Sequence, residues 1–508
     1  MPRFMVKEVI FAKAAKVKSK KLLWEAAAHI FAPNAKNECS IMDFGPPKAG
    51  RFMSEKPTFA SVIANRGFLN LWINQILVQL SFNSLNFALI LWVFKLTDSN
   101  TAVSALLFSI YLPAVILGLF AGVLVDIIDR RKIIMVINFF LGLSFFSLIF
   151  LKTSLPAILV ITFFVNALGQ FYALAEASAI PLVVLKNQLI TANSIFSVTL
   201  YSAFLVGFGL SGPLLNHLGI NWVFGLEGAA LAVAFLLSLK FPSIKSLPDI
   251  QGQRLIRALS EKKYGRIWEI GLIEILDTIR LIRGKLPVLT SIIILAGVQM
   301  GIGIVAVLVP GFLEKSLHIK ATDATYVLVI PLGVGIVIGG LILGRFGNRL
   351  MKRKLVGWSI LFAGLLSFIV GIAPIISPAI RYLGYPRPQP FFYQPSLSQV
   401  LMVGSFLLGI AVISILVPSQ TVLQQNTSEK DRAKVFSVLG VAMYGLSLLP
   451  ILLSGVLADV FGTGPIFIGL GVIIILMGLF GLKPSLFFRK RELSYRVREF
   501  LGLGHWEN

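Results

Sequence analysis

Apolar residues run along this chain in stretches of about 18–25, separated by shorter polar connections. A run of that length suits an α-helix crossing the ~30 Å hydrocarbon core of a bilayer. Six such segments lie near 67–95, 101–125, 133–151, 155–178, 191–214 and 221–240. Six more lie near 287–312, 324–344, 355–376, 399–420, 434–457 and 463–483. The pattern predicts an all-α polytopic membrane protein with twelve transmembrane helices, the longest of them tilting or extending past the membrane.

The polar connections are unequal, and their charge predicts an orientation. Alternate ones carry bases: Arg130-Arg131-Lys132; ten Lys or Arg from Lys240 to Lys285; Arg345 to Lys354; Lys430, Arg432 and Lys434; and Arg489 to Arg498. The intervening connections are short or poor in bases, as in "TDSN" at 97–100 and "NHLGIN" at 216–221. Cytoplasmic loops retain Lys and Arg, so both termini are expected in the cytoplasm of a multi-pass protein of the cytoplasmic (inner) cell membrane.

Composition agrees with lipid as the solvent. Only 14% of the 508 residues are charged, 56% are hydrophobic and mean hydropathy is +0.85; a soluble chain carries about 25% charged residues. The net charge of +23 sits in the gaps between apolar runs, which argues against nucleic acid as the partner. Cys39 is the single cysteine, and the histidines at 29, 217, 318 and 505 have no ligand spacing, so no metal site is expected. Gly284-Lys285 precedes Leu286 rather than Ser or Thr, so no nucleotide loop is present. No cofactor motif and no nucleophile–base constellation is visible, and an enzyme is not expected.

Five regions are predicted: a basic extension at 1–65, a six-helix bundle at 66–240, a linker at 241–286, a second bundle at 287–483 and a basic tail at 484–508. The segment "KEVIFAKAAKVKSKKLLWEAAAHIF" suits either a basic amphipathic helix on an anionic membrane face or a disordered arm. Met53 would serve as a natural start. In the linker, Ile267, Ile270, Leu272, Ile273, Ile275, Leu276, Ile279 and Ile282 suit an interfacial helix.

The two bundles repeat one another. The spacing of Pro113, Gly122, Asp126 and Arg131 is repeated by Pro331, Gly340, Gly344 and Arg349, 218 residues on. "GPLLNHLG" at 212–219 recurs as "GVLADVFG" at 455–462, 243 residues on. The difference places an insertion in the second half, most simply the Pro-rich stretch 377–398. A parallel repeat of two six-helix units predicts pseudo-symmetric bundles with a substrate site near the bilayer midplane between them.

The stretch "GVLVDIIDRRKI" from Gly122 resembles the helix 2–3 signature of the major facilitator superfamily, with Ile127 in place of the usual Arg and Asp129 in place of the usual Gly. "FALILWVFKLTDSNTAVSALLFSIYLPAVILGLFAG", "ASAIPLVVLKNQLITANSIFS" and "VPSQTVLQQNTSEKDRAKVFSV" resemble the branch of enterobactin exporters and macrolide-efflux proteins, and "GLILGRFGNRLMKRK" is similar to a degenerate second signature. The resemblance implies a secondary transporter. It also implies a cytoplasmic gate in which Asp126 meets the start of helix 11 near Arg432 and Lys434, while Arg130 or Arg131 meets Glu176 at the end of helix 4. A plain orientation signal in a solvated turn is the other reading of these charges. Gly118 and Gly122 are spaced for close helix packing, as are Gly340 and Gly344. Gly212-Pro213 matches part of a drug–proton antiporter motif and equally suits a packing kink.

On helix 1, Gln75, Gln79, Asn83 and Asn86 project within about 80° of one another at 100° per residue. With Asn166 and Gln170 on helix 4 they are candidates to line a pathway, or to hold helices together by hydrogen bonds. Glu227 is the clear ionisable residue deep in a span and the candidate for proton coupling. Related exporters often carry an acid on helix 1, where this chain has Phe82 and Asn83. The favoured function is export of an amphipathic small molecule, drug- or siderophore-like, with protons as candidate driver. Alternatives are lysophospholipid, lipid or solute uptake on the same fold, and a non-transporting membrane scaffold.

Overall fold

The structure, a computed structural model, describes residues 59–241, 280, 282, 284–346, 351–382 and 397–482, all within the unit Pro57–Asn508. Twelve helices long and apolar enough to span a bilayer follow one another through these residues. The first half holds α1 (Arg66–Thr97), α2 (Asn100–Ile127), α3 (Arg130–Leu151), α4 (Leu155–Val183), α5 (Leu189–His217) and α6 (Ile220–Ser238). The second holds α7 (Leu286–Gly311), α8 (Ile330–Phe346), α9 (Lys352–Tyr382), α10 (Leu397–Gln425), α11 (Glu429–Phe461) and α12 (Thr463–Leu482). The chain is a multi-pass all-α membrane protein. The expected interfacial helix of 267–282, apart from Arg280 and Ile282, and the terminal segments lie outside the described residues.

Every expected span is present, and the differences fall at the ends. Helices α4, α5, α10 and α11 run several residues beyond their apolar cores, because helical hydrogen bonding continues into the polar headgroup zone. Helix α9 also continues into the start of the Pro-rich insertion, to Tyr382. A π-helical turn, Phe312–Ser316, closes α7, and a second one, Thr325–Val329, leads into α8.

Packing within each half follows one scheme. Helix α1 packs on α5, α2 on α4 and α3 on α6; likewise α7 packs on α11, α8 on α10 and α9 on α12. The repeat legible in the sequence is therefore a repeat of neighbours. Between the halves, α2 packs along α11 and α5 along the start of α8.

Small residues set the closeness of these pairs, since without a Cβ two backbones can touch. Gly357, Gly364 and Gly371 recur every seventh residue on α9, facing Gly464, Gly471 and Gly478 at the same spacing on α12. A Cβ on Gly364 would lie 2.7 Å from the Ile475 nitrogen, and one on Gly471 would lie 2.6 Å from that of Phe368. On α8 the close approach to α10 runs through Gly335 and Gly339, beside the expected Gly340 and Gly344. A Cβ on Gly344 would meet nothing within 4 Å, and the same holds for Gly118 on α2. Gly122 lies outside the described side chains.

Two acidic or amide side chains fix the helix starts at the base-rich end. Asn65 caps α1, its Oδ1 accepting from Gly67 N at 2.9 Å while its Nδ2 donates to the Val183 carbonyl at the end of α4. Asp129, standing where the resemblance has glycine, caps α3 by accepting from Arg131 N at 3.0 Å. The side-chain oxygen satisfies a backbone donor that has no partner within the helix.

Candidate functional site

The halves are clasped at the base-poor end. There α11 ends with Asp459 against the first turn of α2. One carboxylate oxygen accepts from Asn100 N at 2.8 Å and Asn100 Nδ2 at 2.9 Å. The other accepts from Thr101 N at 2.9 Å and from the Ser99 and Thr101 hydroxyls, each at 2.7 Å. A helix N-terminus leaves backbone N–H groups unpaired and carries partial positive charge, so a carboxylate from the opposite half completes it. Gly455 makes the approach possible: a Cβ there would lie 2.6 Å from the Asn100 carbonyl oxygen.

Further contacts widen the seam. Lys315, in the turn closing α7, donates to the Asp98 carbonyl at 2.7 Å, pairs with its carboxylate at 3.3 Å and lies 5.6 Å from the Phe94 ring centre. On the other flank Gly212 of α5 sits under the start of α8, where a Cβ would fall on the Thr325 hydroxyl and 2.6 Å from the Thr322 carbonyl oxygen. Eleven residues into α2, roughly 16 Å at 1.5 Å per residue, Tyr111 meets α7 and α11. Gln299 Nε2 donates to the Tyr111 hydroxyl at 2.9 Å, and the Tyr111 and Tyr444 rings stand edge to face at 5.1 Å. Among the described residues, these hydrogen bonds between the halves all fall from the base-poor end down to that depth.

The residues expected to form a gate stand at the base-rich end. Asp126 ends α2 and Arg432 begins α11, their side chains lying outside the described set. Arg130 is buried at the start of α3 and Lys434 is exposed on α11. Arg131 donates from Nη2 to the Leu239 carbonyl at 2.7 Å, covering the end of α6. Glu176 is not brought to an arginine here; Tyr172, one turn back on α4, is bonded to it at 2.8 Å.

The helix-1 candidates divide. Gln75 is buried, donating to the Phe196 carbonyl of α5 at 3.2 Å, and so ties two helices together. Asn83 donates to the Gln79 carbonyl of its own helix at 2.7 Å. Asn86 and Asn166 meet across α1 and α4 at 3.4 Å. Gln79 and Gln170 are half-buried. Glu227 is buried in α6 and faces Ser84 on α1, without a bond of good geometry to either carboxyl oxygen.

Sequence reasoning passed over Asn74, Asn138, Tyr172, Tyr111 and Asp459. Asn74 and Asn138 are wholly buried polar residues in apolar runs, a signal open to view. Nothing local marks Asp459, whose partners lie about 360 positions earlier.

Comparison with known proteins fits this architecture. The family profile described as Major Facilitator Superfamily matches residues 71–385 and 292–501. Macrolide efflux protein A of Streptococcus pyogenes is 24% identical over 410 residues, covering 79% of this chain and 91% of the relative. The protein of the same description from Enterococcus faecalis is 24% identical over 342 residues, covering 66% and 94%. Among solved structures, a nucleoside transporter superposes with a TM-score of 0.60 at 15% identity, covering 84% of this chain and 100% of its own. A D-xylose–proton symporter gives 0.58 at 14%, covering 82% and 98%.

Proposed function

This chain belongs to the major facilitator superfamily, and from that premise we propose that it exports an amphipathic, macrolide-like small molecule by alternating access, driven by protons. The family membership makes it a secondary transporter of the membrane and not an enzyme. The choice of export and of substrate class draws support from the macrolide-efflux relatives. In this reading Tyr111, Tyr444, Gln299, Gln79 and Gln170 would line the pathway, and their neutral polar tips on apolar bodies suit poorly hydrated solutes better than sugars or phosphates.

One observation carries the alternating-access reading. The seam at the base-poor end is held by a cluster of discrete hydrogen bonds centred on Asp459, and such a cluster can part and re-form as a unit. A second gate at the base-rich, cytoplasmic end would use Asp126, Arg130, Arg131, Arg432 and Lys434 when the first is open. Glu227 supplies the coupling group in this reading. An ionised carboxylate buried without partners costs several kcal/mol, so binding and loss of a proton there would bias the two postures.

A panel of amphipathic cations and macrolides in proteoliposomes tests the proposal, with and without an imposed pH gradient, for wild type and Glu227→Gln. Expected is gradient-driven flux in the wild type, falling to the gradient-independent level in the variant. Equal flux in both proteins, with or without the gradient, removes proton coupling. Uptake rather than extrusion in intact cells removes export.

A further inference from the structure

We propose that Glu176, Tyr172 and Asn74 form a proton-binding site of their own, separate from Glu227 and occupied in the clasped state. The inference rests on counting hydrogens and is independent of the export reading. The Tyr172 hydroxyl lies 2.9 Å from Asn74 Oδ1 and 2.8 Å from Glu176 Oε1. A phenol has one hydrogen to donate. Two short contacts to two acceptors cannot both be hydrogen bonds unless one acceptor brings a hydrogen itself.

Asn74 cannot be that donor. Its Nδ2 gives a hydrogen to the Ala234 carbonyl of α6 at 2.7 Å, and turning the amide over would set oxygen against oxygen there. Asn138 on α3 reinforces the orientation, its Nδ2 pointing to the same Asn74 Oδ1 at 3.3 Å. The remaining source is the carboxyl. A protonated Glu176 donates to Tyr172, Tyr172 donates to Asn74, and Asn74 donates to the Ala234 carbonyl, giving one directed chain from α4 through α1 to α6.

All four side chains are buried, Asn74 and Asn138 at 0% exposure, so water does not supply the missing hydrogen from outside. Helix α4 packs on α1, α2, α3 and α5. Helix α1 brings the neutral Asn74 and Gln75, with Arg66 at its first residue. From α3 come Asn138 and, eight and seven residues earlier at the helix start, Arg130 and Arg131. Asp126 of α2 and Lys186 before α5 stand near the same end, their side chains outside the described set. Loss of the proton would turn Tyr172 toward the carboxylate and leave its oxygen facing the Asn74 oxygen at 2.9 Å. The network would then come apart, with the freed negative charge available to the arginines of α3.

Difference infrared spectroscopy of the purified full chain in lipid tests this through the C=O stretch of protonated carboxyls. At neutral pH, Glu176→Gln is expected to remove one component of that band. Tyr172→Phe, which takes away the hydroxyl the acid donates to, is expected to shift the same component to higher frequency. Glu227→Gln should leave it in place. A band unchanged by Glu176→Gln overturns the proposal. Should Glu176→Gln fail to fold, the Tyr172→Phe spectrum decides: a shifted component supports the site and an unshifted band overturns it.

Discussion

Asp459, near the last residue of α11, accepts a hydrogen bond at 2.8 Å from the backbone N–H of Asn100, the first residue of α2. The two residues belong to different halves of the molecule, so the bond exists only while those halves are together. An intrahelical cap is satisfied in every posture of a protein. This one reports, and biases, a single posture.

Asp459→Asn should weaken the clasp, because an amide offers one acceptor oxygen and sets an N–H₂ against donors. Coupling of about 1–3 kcal/mol between two postures corresponds to a five- to 150-fold population shift. Spin labels placed at His217 and Phe461, both exposed at the base-poor end, in a background lacking Cys39, measure it by pulsed dipolar spectroscopy. A longer-distance population should grow; an unchanged distance distribution would contradict the clasp.

Asp98→Asn should do much less. Its carboxylate is 75% exposed and Lys315 45% exposed, and surface pairs contribute about 0.2–1 kcal/mol. The Lys315 bond to the Asp98 backbone carbonyl also survives the change. The same distance measurement should show a small shift, which shrinks further with added salt.

Gly212→Ala and Gly118→Ala form a matched pair. The first places a methyl on Thr325 and the Thr322 carbonyl, where backbone cannot step aside; the second meets nothing within 4 Å. Overpacking costs about 1–3 kcal/mol. Thermal unfolding in detergent should therefore fall for Gly212→Ala alone, and transport should slow with it.

Tyr111→Phe leaves the Gln299 amide without its acceptor. A fully buried polar group left unsatisfied costs about 1–3 kcal/mol, and the half-buried Gln299 amide less, whereas removing both partners together can be close to neutral. The double variant Tyr111→Phe with Gln299→Leu should accordingly be more stable than Tyr111→Phe alone. Equal unfolding temperatures for the two variants would show that the hydrogen bond at 2.9 Å carries little weight.

The fold was largely legible because lipid leaves a chain few options: an apolar run of the right length must be a helix. The repeat also transferred, since Pro113 and Pro331 mark helices with equivalent neighbours. Side-chain roles transferred less well. The stripe from Gln75 to Asn86 was visible, yet its neighbour Asn74, off that stripe, holds a buried polar cluster that joins four helices. Gln75 proved to face a carbonyl rather than open space. Helical periodicity says which residues share a face, while the neighbour filling that face is set by tertiary packing. The sevenfold glycine spacing on α9 and α12 could have been read from the sequence, because each helix alone displays it.

The acceptor at the end of α11 is met entirely by neutral donors: two backbone amides, two hydroxyls and a carboxamide. No full positive charge stands opposite the carboxylate, so dissolved electrolyte acts there only through the partial charge of the helix start. Added electrolyte should therefore loosen the flanking lysine–carboxylate pair before it loosens this cap.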